Sequence, residues 1–495
     1  MSEQAAFSDE PSIFDDDEDG GKGIVRIASV AALGGLLFGY DSAVINGAND
    51  SIQQQFDISN GVLGFAVASA LLGAAAGAMS AGRIADAIGR LRVMRIAAVL
   101  FLVSAVGAAF APQLWVLILF RVVGGLAIGI ASVIAPAYIA ETSPARIRGR
   151  LGSLQQMAIV IGIFLSLLVD YILAHLAGAA DQDWAFGLPA WRWMFLVMAV
   201  PAVAYGLLAT TIPESPRYLI AKQKIPEARK VLTALLGEKN LEIKVNRIQS
   251  SLARDKKPSW SDLKRAGGGV YPIVWVGLLL SVFQQAVGIN VIFYYSNILW
   301  EAVGFKESQS FQISVFTSIV NIAVTVVAIS LVDKIGRKLL LLIGSIGMAI
   351  SLGAMALCFA TAPLNSAGDP VLHGAAGPIA LVGANLFVVF FGASWGPVTW
   401  VLLGEMFPNR IRGAALSLAA AGQWVANWAI TVSFPQLKGI SLGLAYGIYT
   451  AFALVSILFV ARFVPETKGM SLEDMDRLAG IEPEASTPDP TTSPA

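Results

Sequence analysis

The sequence predicts an all-α integral membrane protein with twelve transmembrane helices in two pseudo-symmetric six-helix halves. Three observations indicate this fold class: the composition, twelve long apolar runs, and loop motifs that occur twice. The 495 residues are 56% hydrophobic and only 14% charged, whereas soluble domains carry roughly 25% charged residues. Such a composition is typical of a chain that crosses a bilayer many times.

Each apolar run is long enough to cross the hydrocarbon core as a helix, which takes about 20 residues. The expected spans are residues 24–47, 61–83, 93–111, 114–140, 150–176, 191–212, 271–300, 310–332, 339–361, 376–404, 412–437 and 441–464. They divide the chain into a disordered acidic tail (1–22), a first half (23–212), a cytoplasmic linker with short helices (213–269), a second half (270–465), and a cytoplasmic C-terminal segment with a disordered tail (466–495).

The distribution of positive charge predicts the orientation. With both termini in the cytoplasm, 30 of the 34 Lys and Arg residues fall on the cytoplasmic side. Because cytoplasmic loops are rich in Lys and Arg, both termini are expected to be cytoplasmic, in the plasma or inner membrane of a cell. The formal net charge is zero, which argues against a nucleic-acid partner.

Three loop motifs occur twice in the same order, about 250 residues apart. GRIADAIGRLR after span 2 matches VDKIGRK after span 8, and ETSPARIRGR after span 4 matches EMFPNRIRGA after span 10. PESPR after span 6 matches PETKG after span 12. These matches indicate a duplicated six-span unit, in which a central site is expected between the halves.

Polar side chains at mid-membrane depth point to the ligand. Gln284 and Gln285 lie about a dozen residues into the seventh run, which is near the bilayer centre at ~1.5 Å per residue, and Asn290 follows. Amides in hydrocarbon are costly unless they face a partner or a wet cavity. Uncharged groups that both donate and accept suit a neutral, hydroxyl-rich ligand such as a sugar. The alternative is that these amides only join helices. Amides at comparable depth in other spans are further candidates: Gln156, Asn321, Gln423 and Asn427.

Aromatic residues are expected to supply the other part of a sugar site, because a ring face attracts the C–H face of a pyranose. Trp395, Trp400 and Trp424 lie within spans rather than at their ends, with simple packing as the alternative. Gly392, Gly396 and Pro397 interrupt span 10, and a break there is expected to let its outer part bend as a gate.

Two opposite charges lie at matching depth in neighbouring spans of the first half. Asp41 is in span 1 and Arg121 in span 4, each six or seven residues from the expected outer end. Because a lone charge at a helix centre costs roughly 2.5–3.5 kcal/mol or more, they are expected to pair. We interpret Asp41 as a proton-coupling residue whose proton affinity changes if its distance from Arg121 changes. A static structural pair is the alternative.

The cytoplasmic loops carry acids and bases that are expected to form a salt-bridge network that closes the cytoplasmic side. Single exposed pairs contribute only ~0–1 kcal/mol, so a network is required; otherwise the arginines only set the topology. Its candidate members are Asp86, Arg90, Glu141, Arg148, Glu214, Arg217, Asp333, Arg337, Glu405, Arg412 and Glu466.

Several motifs together resemble the sugar porter family of the major facilitator superfamily, over residues 24–478. They are GYDSAVING (39–47), the loop from Gly82 to Arg92, PESPRYL (213–219), QQAVGINVIFYY (284–295) and VPETKG (464–469). SWGPVTW (394–400) and GQWVAN (422–427) resemble bacterial proton-coupled xylose and glucose transporters. Leu91 departs from the family's first loop motif, and Ile163 stands where the xylose carrier has a second span-5 glutamine, which leaves the choice of sugar open.

The resemblance implies the major facilitator fold and alternating access, with a monosaccharide held between the halves. It places Phe38 at the sugar and makes Tyr294 and Tyr295 the outer gate. The expected function is proton-coupled symport of a monosaccharide into the cell: a hexose, with glucose favoured over xylose or galactose, and with no cofactor and a monomer as the working unit. A passive facilitator and a proton-coupled inositol or polyol carrier remain as alternatives.

An enzyme is disfavoured. The two histidines, His175 and His373, both fall at outer loops, and no Cys/His/acid cluster has the spacing of a metal site. The single cysteine, Cys358, excludes an intrachain disulfide. A non-transporting sensor of the same fold would favour long cytoplasmic tails, and the tails here are short.

Overall fold

The computed structural model describes residues 21–143, 145–236, 241–254, 260–265, 268–364 and 370–468. Most of the two expected tails, residues 1–20 and 469–495, therefore lies outside the described residues.

The first half consists of six spans. Their helices are Gly21–Ala43 and Ile45–Phe56 (span 1), Asn60–Ile88 (span 2), Arg90–Ala109 (span 3), Leu114–Thr142 (span 4), Ala145–Ala177 (span 5), and Ala190–Val197 with Ala199–Leu208 (span 6). A short antiparallel hairpin, Asp183–Ala185 with Leu188–Pro189, joins spans 5 and 6.

The second half repeats this arrangement after the linker. The linker holds the helices Pro216–Ala221, Ile225–Leu236 and Leu241–Arg254 and the 3₁₀ turn Trp260–Leu263. The spans are Pro272–Ala286 with Ile289–Tyr294 (span 7), Glu307–Ile335 (span 8), Arg337–Thr361 (span 9), Ala376–Ala393 with Trp395–Met406 (span 10), Asn409–Ile440 (span 11) and Leu442–Phe463 (span 12). The helix Ser296–Ala302 continues outward from span 7.

Length and hydropathy alone identify eleven membrane-crossing segments among the described residues. The twelfth is span 11, a 32-residue helix. The predicted all-α fold with twelve spans is confirmed, whereas the residue boundaries of the two halves stay a prediction. Span 1 differs from expectation, because helix continues to Phe56 rather than ending near residue 47. The polar sequence beyond residue 45 stays helical because its asparagines bind the second half, as described below.

The halves meet along two pairs of helices. Span 2 packs against span 11, and span 5 packs against span 8. The span 2–11 contact is close because Gly64 lies directly on the backbone carbonyl of Val432, where a side chain would not fit. Spans 1 and 7 also touch near the outer side. The spans that carry the candidate residues are thereby held at the junction of the halves.

Two spans are broken where the sequence predicted polar or gate residues. Span 7 breaks at Gly288, whose φ of 82° lies in the left-handed region. Span 10 breaks at Ser394, between Gly392 and Gly396. In span 10 the carbonyl groups of the first two residues after the break, Trp395 and Gly396, accept hydrogen bonds from span 7.

Candidate functional site

The span-7 amides form a connected chain that faces the protein interior. Asn290 Nδ2 donates to Gln285 Oε1 at 2.6 Å, and Gln285 Nε2 donates to Gln284 Oε1 at 3.4 Å. Gln284 Nε2 then donates to the backbone carbonyl groups of Trp395 at 3.0 Å and Gly396 at 3.4 Å, at the break in span 10. Gln284 and Gln285 are only 3% and 7% exposed. The chain is uncharged and has donors and acceptors to spare, since each amide offers both.

The break at Gly288 gives this chain its geometry. The left-handed residue ends the first helix of span 7 and starts the second, so that Asn290 reaches back to Gln285. Only glycine fits here, because the left-handed conformation costs other residues about 1–2 kcal/mol. In addition, a Cβ at this position would lie 2.8 Å from the ring of Tyr449.

Two of the predicted aromatics come together from opposite halves. The rings of Phe38 in span 1 and Trp424 in span 11 have centroids 6.4 Å apart and an interplanar angle of 38°. Both side chains are half-buried. The pair joins the two halves, and its contact with a sugar stays a prediction.

The two span-10 tryptophans differ in their surroundings. Trp395 is fully buried, and its indole Nε1 donates to Ser345 Oγ at 3.0 Å and to the Leu341 carbonyl at 3.2 Å. Trp400 is 46% exposed. Trp395 supports the amide chain through its backbone carbonyl. A ligand role for either ring stays a prediction.

The remaining amides are placed around the same junction. Asn427 is 6% exposed, and its Oδ1 accepts from Thr431 Oγ1 at 3.1 Å. Asn321 is 9% exposed and lies beside Gly392, where a Cβ would be 3.6 Å from its Oδ1. Gln156 and Gln423 are half-buried, and Gln423 Oε1 has no hydrogen-bond partner among the described residues. Their contact with a ligand stays a prediction.

The predicted gate tyrosines are buried at the outer end of span 7. The Tyr295 hydroxyl donates to the Thr431 carbonyl at 2.9 Å, and its ring packs on Phe434 at 5.1 Å. The Tyr294 hydroxyl interacts with Asn427 and with Ser42 of span 1. Tyr294 therefore bridges the two halves above the amide chain.

Three asparagines that the sequence did not single out close the outer side. Asn49 Nδ2 donates to the Tyr294 carbonyl at 2.6 Å. Asn46 Nδ2 donates to Asn297 Oδ1 at 3.3 Å and to Ser314 Oγ at 3.4 Å, and the Asn297 backbone N–H donates to Asn46 Oδ1 at 3.1 Å. We call these three asparagines, Ser314 and Tyr294 the outer seam. The sequence gives no signal of their role, because Asn46 and Asn49 find their partners about 250 residues further along the chain.

Asp41 and Arg121 are paired and fully enclosed. Arg121 Nη1 donates to Asp41 Oδ1 at 3.0 Å and to the Asp41 backbone carbonyl at 2.9 Å, and the two residues are 0% and 2% exposed. Asp41 Oδ2 has no hydrogen-bond partner among the described residues. Gly124 makes room for it, since a Cβ there would lie 2.7 Å from Oδ2. The structure thus brings together the predicted pair, and a role for Asp41 in proton coupling stays a prediction.

The cytoplasmic acids and bases of the first half form one cluster. Arg90 contacts Glu141 at 2.9 Å and Asp86 at 3.1 Å. Glu214 accepts from the backbone N–H groups of Arg90 at 3.1 Å and Leu91 at 3.2 Å. A carboxylate at the N-terminus of span 3 satisfies donors that have no partner within the helix and complements the helix dipole.

The second half repeats the central contacts of this cluster. Arg337 contacts Glu405 at 2.8 Å, and Glu466 accepts from the backbone N–H groups of Arg337 and Lys338 at 3.0 Å each. Burial alone would raise the pKa of Glu466, but four backbone N–H groups outweigh it and lower that pKa. The duplicated motifs of the sequence therefore build the same cap at spans 3 and 9.

The contacts of the predicted network lie at the start of spans 3 and 9. Arg90 pairs with Asp86 and Glu141, and Arg337 pairs with Glu405. Glu214, at the start of the linker, and Glu466 cap the N-termini of spans 3 and 9. Arg217 lies half-buried in the linker helix Pro216–Ala221. Arg412 Nε donates to the Phe407 carbonyl at 3.0 Å. The side chains of Arg148 and Asp333 lie outside the described part of the chain, so a role for them in closing the cytoplasmic side stays a prediction.

Comparisons with known proteins agree with this geometry. The family model described as "Sugar (and other) transporter" matches residues 27–479. The chain is 53% identical over 456 residues to the glucose transport protein of Synechocystis sp., covering 92% of this chain and 97% of that protein. It is 37% identical over 489 residues to the D-xylose-proton symporter of Escherichia coli strain K12, covering 92% and 95%.

A solved structure of a sugar transporter is also similar to this chain in its fold. The inward open conformation of the xylose transporter XylE from E. coli superimposes with a TM-score of 0.77 at 36% identity, over 92% of this chain and 99% of that one. The twelve spans in two halves, the buried amide chain on span 7 and these similarities lead to one conclusion: the chain belongs to the family of sugar transporters, and it is a multi-pass membrane protein.

Proposed function

We propose that this protein is a proton-coupled monosaccharide symporter that works by alternating access. The observation that carries the proposal is the uncharged chain of buried amides on span 7. An aromatic pair drawn from both halves, Phe38 and Trp424, supports it. Uncharged groups that both donate and accept hydrogen bonds suit a neutral ring with many hydroxyl groups. A metal ion or an anion would instead require charged ligands.

The amides are proposed to bind the sugar hydroxyls. Asn290, Gln285 and Gln284 are already linked in a row, so each keeps its orientation while it offers free donors and acceptors to a ligand. Preorganised groups of this kind bind at a lower entropic cost than free side chains. Phe38, Trp424 and Trp400 are proposed to contact the C–H faces of the ring. Gln156, Asn321, Gln423 and Asn427 are proposed to complete the site.

Asp41 is proposed to carry the proton. Its Oδ1 is bound by Arg121, and its Oδ2 is unpaired among the described residues. A proton on Oδ2 neutralises the carboxylate and weakens its pairing with Arg121, which links protonation to the packing of spans 1 and 4. A proton that moves inward with the sugar supplies roughly 2.3 kcal/mol per 100 mV of membrane potential.

Alternating access is proposed to exchange the outer seam for contacts at the cytoplasmic side. Outward opening requires Asn49 to release Tyr294 and Asn46 to release Asn297, which together hold the halves. The caps formed by Glu214 and Glu466 lie within single halves. They are proposed to keep each half rigid, so that the halves rock as bodies with both termini in the cytoplasm, and one chain suffices as a monomer.

Glucose is proposed as the main substrate. The relative that shares 53% of its residues is named a glucose transport protein, while the D-xylose-proton symporter shares 37%. Counterflow with both sugars tests this preference.

The test uses purified protein in liposomes. Counterflow with a panel of glucose, xylose, galactose and inositol identifies the ligand class, and exchange of inositol alone would favour a polyol carrier instead. Uptake against a sugar gradient is then measured with an imposed proton gradient. Asp41→Asn is expected to lose uphill uptake and to retain counterflow, while the exposed Asp183→Asn retains both. Uphill uptake by Asp41→Asn would contradict the coupling role and favour a different proton site.

A further inference from the structure

A second carboxyl is buried in the first half, and the transport mechanism above does not use it. Asp170 lies in span 5, seven residues before that helix ends, and is 0% exposed. It is pressed against Gly47 of span 1, where a Cβ would lie 2.7 Å from its Cγ. The backbone amide of Gly47 faces the carboxyl, yet neither carboxylate oxygen has a hydrogen-bond partner among the described residues.

No described cation is directed at Asp170 from the helices packed against it. Tyr40 of span 1 interacts electrostatically with Asp170, and its hydroxyl donates to a span-6 carbonyl at 3.1 Å. Arg192 of span 6 donates to two other backbone carbonyls at 2.8 and 2.9 Å. Glu307 of span 8 accepts from a backbone amide at 3.0 Å. Asp50, further out on span 1, interacts with a lysine and a glutamate of the second half.

On span 5 itself, the neighbours His175 and Ser166 form no ion pair with the Asp170 carboxylate among the described residues. His175 stacks on Tyr171 at 5.8 Å, and Ser166, one turn before Asp170, is uncharged and fully buried. An isolated carboxylate without a partner in a dry interior is so costly that the group takes up a proton instead. With Asp170 buried in this way, the neutral acid is the form that the packing accommodates.

Asp170 also lies directly behind the outer seam. Its neighbour Tyr171 accepts from Gln312 of span 8 at 3.4 Å. Asn46, next to Gly47, binds Asn297 and Ser314 of the second half. The carboxyl is therefore covered on one side by span 1 and lies beside the contacts that must part when the outer side opens. Gly47 is six residues beyond Asp41, or ~9 Å outward at 1.5 Å per residue, so the two carboxyls are separate sites.

We propose that Asp170 is a second proton-binding group, and that it couples external pH to the outer seam. Its carboxyl keeps a proton while the seam is closed. When the seam opens and water reaches span 5, the O–H bond breaks and the proton passes to external water, leaving a solvated carboxylate. Closure requires a proton from the outside to return to the same carboxyl. Deprotonation of Asp170 thereby favours the outward-open state, and low external pH favours the closed one. The inference rests on the transport cycle proposed above.

The experiment measures how accessible the outer seam is to a labelling reagent. Cys358 is replaced by Ser and Ser314→Cys supplies a reporter, because Ser314 is 2% exposed in the closed seam. Asp41→Asn is present throughout, so that the first proton site does not contribute. Labelling by a membrane-impermeant maleimide from the outside is followed against external pH, with rates corrected for the reactivity of a free thiol. The corrected rate is expected to rise with pH, by up to about tenfold per unit for one titrating group.

Asp170→Asn is expected to remove this rise and to hold the rate at its low-pH value, while Asp170→Glu restores a pH-dependent rise. The matched control is Asp183→Asn, an exposed carboxyl in the hairpin after span 5, which should leave the profile unchanged. If Asp170→Asn does not reach the membrane, Asp170→Ser replaces it. An unchanged rise in the Asn or Ser variant would overturn the proposal. Loss of sugar counterflow in the parent protein would instead contradict the transport function itself.

Discussion

Gly288 offers the sharpest test of how span 7 builds the site. The residue has φ 82° and separates the helix that carries Gln284 and Gln285 from the helix that carries Asn290. Gly288→Ala is expected to disturb both the break and the amide chain. We expect a loss of stability together with weaker sugar binding, from a change of one methyl group.

The expected loss in the free energy of unfolding of Gly288→Ala has two contributions. A left-handed conformation costs an alanine about 1–2 kcal/mol. The new Cβ would also lie 2.8 Å from Cδ2 of the Tyr449 ring, and 3.0 Å from two further ring carbons. Forcing extra volume into a packed interior costs typically about 1–3 kcal/mol. Together the substitution should lower the free energy of unfolding by about 2–5 kcal/mol, unless span 7 shifts and moves Asn290 from Gln285 instead.

The assay compares Gly288→Ala with Gly447→Ala, a glycine in span 12 where a Cβ meets nothing within 4 Å. Thermal stability of the purified protein and the sugar dependence of counterflow are measured for both. Gly447→Ala is expected to be neutral or stabilising by up to about 1 kcal/mol, because alanine is favoured over glycine inside a helix. Gly288→Ala is expected to melt lower and to need more sugar for half-maximal exchange.

A double substitution separates the two parts. In a Tyr449→Ala background the ring is gone, so Gly288→Ala should cost only the roughly 1–2 kcal/mol of the left-handed conformation. If Gly288→Ala behaved like Gly447→Ala in both measurements, the proposed role of the left-handed break would be refuted. An equal cost with and without the Tyr449 ring would show that steric overlap contributes nothing.

Three further predictions concern the caps, the aromatic pair and the outer seam. Glu466→Gln should lower the free energy of unfolding by about 1–2 kcal/mol, because a charged acceptor of backbone N–H groups is lost; the exposed Glu242→Gln is the control in a thermal unfolding assay. Since folding lowers the Glu466 pKa, its stabilisation is fully present above the ordinary glutamate pKa and is lost as the pH falls from there through the lowered value, and Gln should remove that dependence. Trp424→Ala should weaken sugar binding about 5- to 10-fold, from the loss of roughly 1 kcal/mol of ring contact, whereas the 67% exposed Trp115→Ala should not, as measured by counterflow; equal effects would contradict the proposed site. Asn49→Leu removes a 2.6 Å hydrogen bond to the Tyr294 carbonyl of span 7. Leaving that carbonyl unsatisfied costs about 1–3 kcal/mol, so labelling of the outer seam from outside should increase. Unchanged labelling would show that this hydrogen bond does not hold the gate.

The sequence by itself determined the features that follow from the positions of residues along the chain. Hydropathy and length predict the spans, the Lys and Arg distribution predicts orientation, and duplicated motifs predict two halves. The depth of a residue in its span also follows from its position in the sequence. The burial of Gln284 and Gln285 and the pairing of Asp41 with Arg121 could therefore be expected from residue positions alone. The strong cost of placing polar groups in hydrocarbon makes these inferences reliable.

Only the tertiary structure decided which partner each group chooses. The acids of the cytoplasmic motifs pair within their own half, because Glu141 and Glu405 lie beside the helix start that each motif creates. Trp395 and Trp400 share one stretch of sequence, yet the packing of span 9 buries the first and leaves the second exposed. The outer asparagines and Asp170 carry no linear signal of their role, since their meaning comes from the helices against which they pack. Contacts between segments hundreds of residues apart depend on helix rotation and crossing, which hydropathy and depth do not encode.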